Sequence, residues 1–246
     1  MPNWVKNVVR TSEETMSKIK EKYFTNGTLD FNKIIPMPKS LELTSGSITD
    51  MAIFYAFTKK NEIGRKEIVE LLKSKSEICY ENAWEQLKTY YHLGHFKDIE
   101  SKAKTYIPED VAKELNIKTL EELGDAYINN LKQYGSTTWY DWCVEHWGTK
   151  WGASRCQSDN HTIIFETAWA TTEPIFEKLS EEFPDDIIKV EYADECYSND
   201  NNGRLFYQYG VCYNSVELDE DFAAEIWDKE IKNSNSDKDI TDDLFD

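Results

Sequence analysis

The sequence predicts an α+β fold in which an antiparallel sheet of the split βαβ type is interrupted by a helical insertion. Segments with strand and helix patterns alternate over residues 1–40 and 138–232, whereas residues 47–135 follow helical spacing. The chain has 246 residues, of which 40% are hydrophobic and 13% aromatic, so it can bury a sizeable core. We expect one sheet-forming domain, a helical subdomain and a disordered acidic tail at residues 233–246.

The first end of the chain has the pattern strand, helix, strand. Residues 4–10 are rich in β-branched side chains, which favours a strand. Thr11 and Glu14 then match a capping box in front of a helical face, and Asn26-Gly27 marks the end of that helix. The segment "LDFNKIIPMP" is predicted as a second strand that stops at its prolines.

The middle of the chain is predicted to be helical. Its apolar residues recur at helical spacing and its start signals are helix caps, such as Pro108 in a first turn and the Thr119–Glu122 pair. No strand pattern occurs there. The sequence therefore predicts a helical block in place of the connection between the two halves of the sheet.

The segment "WYDWCVEHWGTKWGASRC" opens the second sheet-forming end. Thr138 is predicted to cap a helix that Gly148 ends, with the aromatic residues up to Trp147 forming one packed stripe. The following "GTKWGAS" is predicted to be a polar loop. Packing alone does not require such a loop, so it is the better candidate for a contact surface.

Strand patterns return after this loop. Residues 163–169 alternate as a half-buried strand, Thr172 precedes a helix, residues 188–192 form a strand, and "RLFYQYGVCY" is predicted as one further strand. Asp219 is expected to cap a last amphipathic helix. Together with the first end, this order predicts a ferredoxin-like sheet with two helices on one face.

The charge is strongly acidic. Asp and Glu number 46 against 28 Lys and Arg, a net charge of −18, and residues 217–246 alone hold 12 acids and three lysines. Such a chain repels phosphate backbones and anionic membranes, so we expect no direct nucleic-acid or membrane partner. It suits a protein that binds a basic surface, with Asp219, Glu220 and Asp221 as candidate acidic contacts.

The sequence offers no convincing catalytic set. Phosphate-binding glycine motifs are absent, and paired acids occur by chance at this acid content. A zinc site from His92, His95, Cys143 and His146 is a weak alternative, because two short spacings fifty residues apart arise easily by chance. We expect no cofactor and no metal.

A ligand wall is a second possible use of the aromatic residues. Stacking platforms and cations would be supplied by Trp147, Lys150, Trp151, Arg155 and Trp169. This set would suit a nucleotide. The competing interpretation is that the tryptophans form core.

Four motifs together resemble the YubB-like ferredoxin-domain proteins of phages and plasmids. They are "MPNW", "DFNKIIPMP", "WYDWCVEHWGTKW" and "FETAWATTEPIFEKLSEEFP", which cover residues 1–40 and 138–213. Val5 stands where these proteins usually have Cys, and Gly152 where they have Asp. The resemblance implies a ferredoxin-like fold and a mobile-element origin, but no iron–sulfur cluster and no established activity.

Our leading functional hypothesis is a phage accessory protein that acts by binding in the cytoplasm of a host cell. Its expected target is a host defence protein, inhibited in the anti-CRISPR manner by occupation of a basic nucleic-acid-binding surface. The cytoplasm is expected because the N-terminus lacks a signal peptide and no apolar run could span a bilayer. The alternatives are a protein that sequesters a nucleotide signal and a metal-dependent hydrolase.

Overall fold

The structure, a computed structural model, describes residues 3–73, 109–197, 201–214, 218 and 221–231. Several sequence predictions fall outside these residues: the caps at Pro108 and Asp219, the acidic contact Glu220, the histidines His92 and His95, and the tail at residues 233–246. Among the described residues, no helix is long and apolar enough to cross a membrane.

Strands and helices alternate at both ends of the chain, and helices fill the described part of its middle. The strands are β1 (Trp4–Arg10), β2 (Phe24–Thr25), β3 (Thr28–Leu29), β4 (Ser154–Ser158), β5 (Thr162–Ala168), β6 (Ile188–Asp194), β7 (Asn202–Gln208) and β8 (Val211–Asn214). The α-helices are α1 (Glu13–Tyr23), α2 (Phe31–Ile34), α3 (Ser47–Lys59), α4 (Glu62–Lys73), α5 (Glu109–Glu114), α6 (Leu120–Tyr134), α7 (Trp139–Trp147), α8 (Glu173–Glu182) and α9 (Phe222–Asp228).

The described residues fall into two compact units, divided after Asp30, Gly152, Thr171 and Ile175. The sheet unit holds the strands, α1, α9 and most of α8; the helical unit holds α2 to α7. Helix α7, grouped with the sheet-forming domain in the sequence analysis, lies in the helical unit. The predicted domain boundaries stay a prediction, because they concern units that fold independently.

The main sheet has six strands in the order β4-β5-β1-β6-β7-β8, and every neighbouring pair is antiparallel. Since β5 and β6 both run antiparallel to β1, they run parallel to each other, and α8 connects them. This is a split βαβ unit. The prediction of an α+β, ferredoxin-like sheet with a helical insertion is confirmed.

Helices cover both faces of this sheet. Phe176 of α8 packs between Phe165 and Tyr207, with ring centroids 6.3 and 5.8 Å apart. The next side chain along β5, Ile164, points to the opposite face and packs with Phe222 of α9. Strand β5 is therefore buried along its whole length, and the predicted half-buried strand is wrong.

Helix α1 begins at a different cap from the one predicted. The side chain of Ser12, not Thr11, accepts a hydrogen bond from the backbone N–H of Thr15, at 3.2 Å. The Asp186 carboxylate after α8 accepts hydrogen bonds from the Ser12 hydroxyl and, at 2.5 Å, from the Thr15 hydroxyl. This tertiary contact selects Ser12, and it ties α1 to the segment that follows α8.

The second strand predicted in the first half is wrong. Asn26 and Gly27 form the left-handed turn of the short β2–β3 hairpin, with φ of 52° and 78°. The chain then enters helix α2, where the buried residues Phe31 and Ile34 are three positions apart. That spacing suits one face of a helix and not one face of a strand.

Two features in the second half of the chain, at opposite edges of the sheet, also differ from prediction. Edge strand β4 was not predicted, because its residues Ser154–Ser158 are mostly polar and carry no apolar alternation. The predicted single strand "RLFYQYGVCY" is a hairpin, β7 and β8. Tyr209 and Gly210 form its turn with φ of 55° and 72°, a pair of left-handed residues that closes a two-residue hairpin.

Within the helical unit, α3 and α6 approach closely because of one glycine. A Cβ atom on Gly124 of α6 would lie 2.0 Å from the carbonyl oxygen of Ala52 and 2.7 Å from the Cβ of Ala56. The predicted capping box starts α6 as expected, with Thr119 and Glu122 bonded reciprocally. Only glycine permits this helix contact.

We predict that Gly124→Ala lowers the free energy of unfolding by about 1–3 kcal/mol, the usual cost of overpacking. The loss should occur even though alanine favours a helix over glycine by about 1 kcal/mol. Urea denaturation followed by circular dichroism measures it. Gly152→Ala is the matched control, since nothing lies within 4 Å of a Cβ there. Equal stability of the two variants would contradict the close contact.

Candidate functional site

One end of the main sheet exposes a tryptophan on a left-handed backbone. Trp169 follows the last residue of β5, has φ of 73° and is 56% exposed. Its N–H donates to the carbonyl oxygen of Asn3 at 2.8 Å, and its own carbonyl accepts from the Asn201 side chain at 3.1 Å. A bulky residue in this conformation is strained, and these two hydrogen bonds hold it there.

The turn after β6 lies at the same end of the sheet. The backbone N–H of Glu195 donates to the carbonyl of Trp4 at 2.9 Å, which joins this turn to the start of β1. Tyr197 follows with φ of 54° and an exposed side chain, and its N–H donates to the Asp194 carbonyl at 3.2 Å. A second aromatic residue is thus presented from a left-handed backbone.

An arginine from the edge strand completes this surface. Arg155 lies at the irregularity in the β4–β5 pairing and has φ of 49°. Its guanidinium carbon is 5.5 Å from the ring centre of Trp4, and its NH1 donates to the Glu166 carboxylate at 2.6 Å. We name the surface formed by Trp4, Arg155, Trp169 and Tyr197 the aromatic rim.

The predicted ligand wall draws its residues from both units. Arg155 and Trp169 belong to the sheet unit, whereas Trp147, Lys150 and Trp151 belong to the helical unit. A joint ligand wall of all five residues, and with it a nucleotide ligand, stays a prediction.

Trp147 is a core residue of the helical unit. It is 8% exposed, its Nε1–H donates to the Ile35 carbonyl at 2.9 Å, and its ring packs edge-on against Phe31 and Trp142. The predicted cap Thr138 and the left-handed stop at Gly148 are both present at the ends of this helix. The buried-stripe interpretation of the segment up to Trp147 agrees with these contacts.

Lys150 lies between two aromatic rings of the same unit. Its Nζ is 4.8 Å from the ring centre of Tyr140 and 4.7 Å from that of Trp151. Both aromatic residues are partly exposed to solvent, Tyr140 by 38% and Trp151 by 39%. The "GTKW" segment is therefore an ordered cation–π arrangement, in which the lysine charge already has partners within the protein.

The weak zinc alternative has two described members, and both are engaged elsewhere. Burial raises the pKa of the Cys143 thiol to about 12, and its Sγ lies 3.8 Å from the sulfur of Met37. The His146 ring stacks on Trp142 at 4.2 Å, with Nδ1 3.0 Å from the Trp142 carbonyl oxygen. Within the described part of the chain, no group of three or more His, Cys, Asp or Glu side chains could hold a metal.

Of the three acidic residues predicted to contact a partner, only Asp221 is described. It is exposed and directly precedes α9, and its side chain makes no capping hydrogen bond. Its role as a partner contact stays a prediction.

A buried carboxylate organises the sheet face on which α9 packs. Glu191 of β6 is 3% exposed, and its oxygens lie 2.5 Å from Arg10, 2.9 Å from Arg204, 3.0 Å from Lys229 and 4.0 Å from Lys189. Burial raises the pKa of Glu191, but the bonds and charges of Lys229 and Arg10 outweigh it and lower the pKa to about 2. Glu191 is therefore ionised throughout the physiological range.

Lysine and tryptophan side chains attach α9 to this face. Lys6 of β1 donates from Nζ to the carbonyls of Trp227 and Lys229 at 2.8 and 2.6 Å, at the helix end where carbonyls lack partners. The Trp227 indole N–H donates to the carbonyl of Asp194 at 2.8 Å. Burial lowers the pKa of Lys6, although neighbouring carboxylates oppose this.

Sequence reasoning missed the Glu191 cluster and half of the aromatic rim. The cluster had a signal, because charged residues alternate with buried apolar ones in the patterns of β1 and β6. The rim had none: Trp4 and Tyr197 look like ordinary aromatic residues until strand pairing brings them to the same end.

Comparison with known proteins finds similarity in the second half of the chain. Residues 146–235 match the family model described as "Ferredoxin-like domain in Api92-like protein", a range that covers β4 to β8 and α9. A comparison with curated proteins finds no match. A crystal structure of a protein api92 from Yersinia pseudotuberculosis is similar at 10% identity, with 89% of this chain and 100% of that chain covered and a TM-score of 0.41.

The sheet unit, to which residues 1–30 also contribute, thus has a ferredoxin-like fold. Residues 146–235 of the chain are similar to the ferredoxin-like domain described in Api92-like proteins. The expected YubB-like relationship and the phage or plasmid origin stay predictions.

The Glu191 cluster predicts how stability depends on pH. The folded-state pKa of about 2 lies below the ordinary value of 4.5, so the contribution of Glu191 is present above about pH 5 and is lost as pH falls toward 2. It amounts to about 3 kcal/mol. Glu191→Gln should be less stable than the wild type at pH 7, and the two unfolding free energies should converge near pH 2.

Glu14→Gln is the control for this titration, because Glu14 forms an exposed pair with Lys18 at 2.6 Å and such pairs contribute little. Urea denaturation at a series of pH values measures all three proteins. A constant gap between Glu191→Gln and the wild type from pH 7 to pH 2 would contradict the assignment.

Proposed function

We propose that the protein acts by binding another protein through the aromatic rim. The observation that carries this proposal is the conformation of Trp169. Asn and Gly tolerate a left-handed backbone, whereas tryptophan there costs stability and leaves a large apolar ring in water. Folding does not need that ring, so a contact with a partner accounts for its position.

The composition and rigidity of the rim support the proposal. Trp, Tyr and Arg are the residue types that most often carry the binding energy of protein interfaces. The Asn3 and Asn201 hydrogen bonds to Trp169 fix its backbone before a partner arrives, which lowers the ordering cost of association.

The charge of the chain favours a basic partner. A net charge of −18 speeds encounter with a positive surface and opposes encounter with nucleic acid. A protein with a nucleic-acid-binding groove is such a partner. The resemblance to phage and plasmid proteins makes a host defence protein the class we propose, inhibited by occupation of its groove.

We predict that Trp169→Asn abolishes capture of the partner from a bacterial lysate while the fold stays as stable as the wild type or becomes more stable. Asparagine tolerates the left-handed backbone, so strain falls as the contact is lost. Affinity capture followed by mass spectrometry measures binding, and thermal unfolding measures stability.

Tyr209→Asn is the matched control. Tyr209 is also exposed and left-handed, but it lies beyond the opposite end of β7 from the rim. The Tyr209→Asn variant should capture the same protein as the wild type. Loss of capture by both variants, or by neither, would show that the rim is not the contact surface.

A nucleic-acid duplex added to the captured complex tests the groove. If the groove is occupied, the duplex should compete and release the partner, and high salt should weaken capture as well. Release by salt without competition by the duplex would place the contact outside the groove.

A further inference from the structure

Positive charge accumulates on the α9 face of the sheet, in a protein that is acidic overall. Strand pairing sets Arg10 opposite Lys189 and Glu191 opposite Arg204, and Lys189 and Glu191 are two positions apart, so all four share one face. Lys229, directly after α9, reaches Glu191 from above the sheet. Four cations thus surround one carboxylate.

The four cations are not neutralised by that carboxylate. Burial lowers the pKa of Lys189, and the positive charges of Arg204, Arg10 and Lys229 lower it further, while the negative charge of Glu191 raises it. The four cations that contact Glu191 exceed its charge by three, and Asp228 and Glu230 flank Lys229 along the chain. Arg10 and Arg204 are each 27% exposed and Lys229 is 29% exposed, so the cluster is open to solvent.

The remaining hydrogen-bond donors point to an oxyanion. Arg10 uses only NH1 on Glu191, which leaves its other N–H groups without a partner in the described part of the chain. A guanidinium fork matches the geometry of phosphate oxygens, and ammonium groups add charge without a fixed direction. The buried Glu191 carboxylate contacts all four cations and offsets one of their charges.

We propose that Arg10, Lys189, Arg204 and Lys229 form a binding site for the phosphate group of a small phosphate ester, in which the Glu191 carboxylate competes with the phosphate for the same cations. The site lies on the face of the sheet unit that α9 partly covers, and it is separate in role from the aromatic rim. A long nucleic acid is a poor occupant, because the net charge of −18 repels it.

Isothermal titration of the full chain with inorganic phosphate and with glycerol phosphate tests the site. Arg10→Gln should weaken binding about tenfold or more, as expected for loss of a charge-assisted hydrogen bond. Lys18→Gln, which removes a cation from an exposed pair on α1, should bind phosphate as the wild type does. Equal binding by both variants would overturn the site, as would no heat with the wild type.

Glu191→Gln separates a binding site from a purely structural ion cluster. It removes the only carboxylate that touches these cations in the described residues, so the local excess rises from three to four charges. Phosphate should then bind more tightly and raise the melting temperature of this variant more than that of the wild type. A smaller shift than in the wild type would overturn the proposal.

Lys229→Gln keeps the test independent of folding losses in the sheet, because Lys229 lies outside the strands. It should weaken phosphate binding while circular dichroism stays that of the wild type. Weakening by Arg10→Gln alone would contradict a site shared by the four cations.

Discussion

The register of β1 is the constraint on which the rest of the sheet unit depends. This strand pairs with β5 on one side and β6 on the other, so it joins the start of the chain to segments more than 150 residues away. Asn7 is buried at its centre, where its side chain donates to Thr167 at 2.9 Å and accepts from Thr171 at 2.6 Å. A slip of one residue would leave this amide unpaired in the core and exchange the two faces of the strand.

The same register produces both candidate surfaces. Trp4, the first residue of β1, pairs with Ala168, and this pairing places Trp169 at the end of the sheet beside the turn after β6. Side chains of β1 alternate between the two faces of the sheet, so that Asn7 and Val9 face α8 whereas Lys6 and Arg10 face α9. The aromatic rim is thus an end of the sheet and the cation cluster is a face of it. Strand pairing determines where these two surfaces lie. Their chemistry comes from side chains that the hydrophobic core does not need.

Local signals in the sequence predicted those parts of the fold that local physics determines. The Thr119 capping box, the Thr138 cap and the Gly148 stop are contacts between residues a few positions apart, and all three are present. By contrast, the choice of Ser12 over Thr11 depends on Asp186, which lies far along the chain. A local stretch of sequence around the start of α1 does not include Asp186, so a local pattern could not reveal this contact.

The parts that could not be predicted share this dependence on distant partners. Strand β4 is polar, and its strand conformation comes from backbone pairing with β5, not from a pattern of its own. In the sequence, Trp169 continues the alternating pattern of strand β5. In the structure, its hydrogen bonds with Asn3 and Asn201 hold it in a conformation that exposes its side chain to solvent. Two residues of the aromatic rim, Arg155 and Trp169, were therefore predicted as binding residues from the sequence. The full set of residues that forms the rim was not predicted.

The total charge of a chain also conceals the sign of its surfaces. A net charge of −18 describes the field that a partner meets at a distance, but at physiological salt that field decays over about 8 Å. Within that distance a ligand at the α9 face meets Arg10, Arg204 and Lys229, which surround the buried carboxylate of Glu191. Long-range repulsion and short-range attraction together determine which anion binds. The charge of the whole chain excludes a polyanion, whereas a single phosphate group is small enough to interact only with the cation cluster.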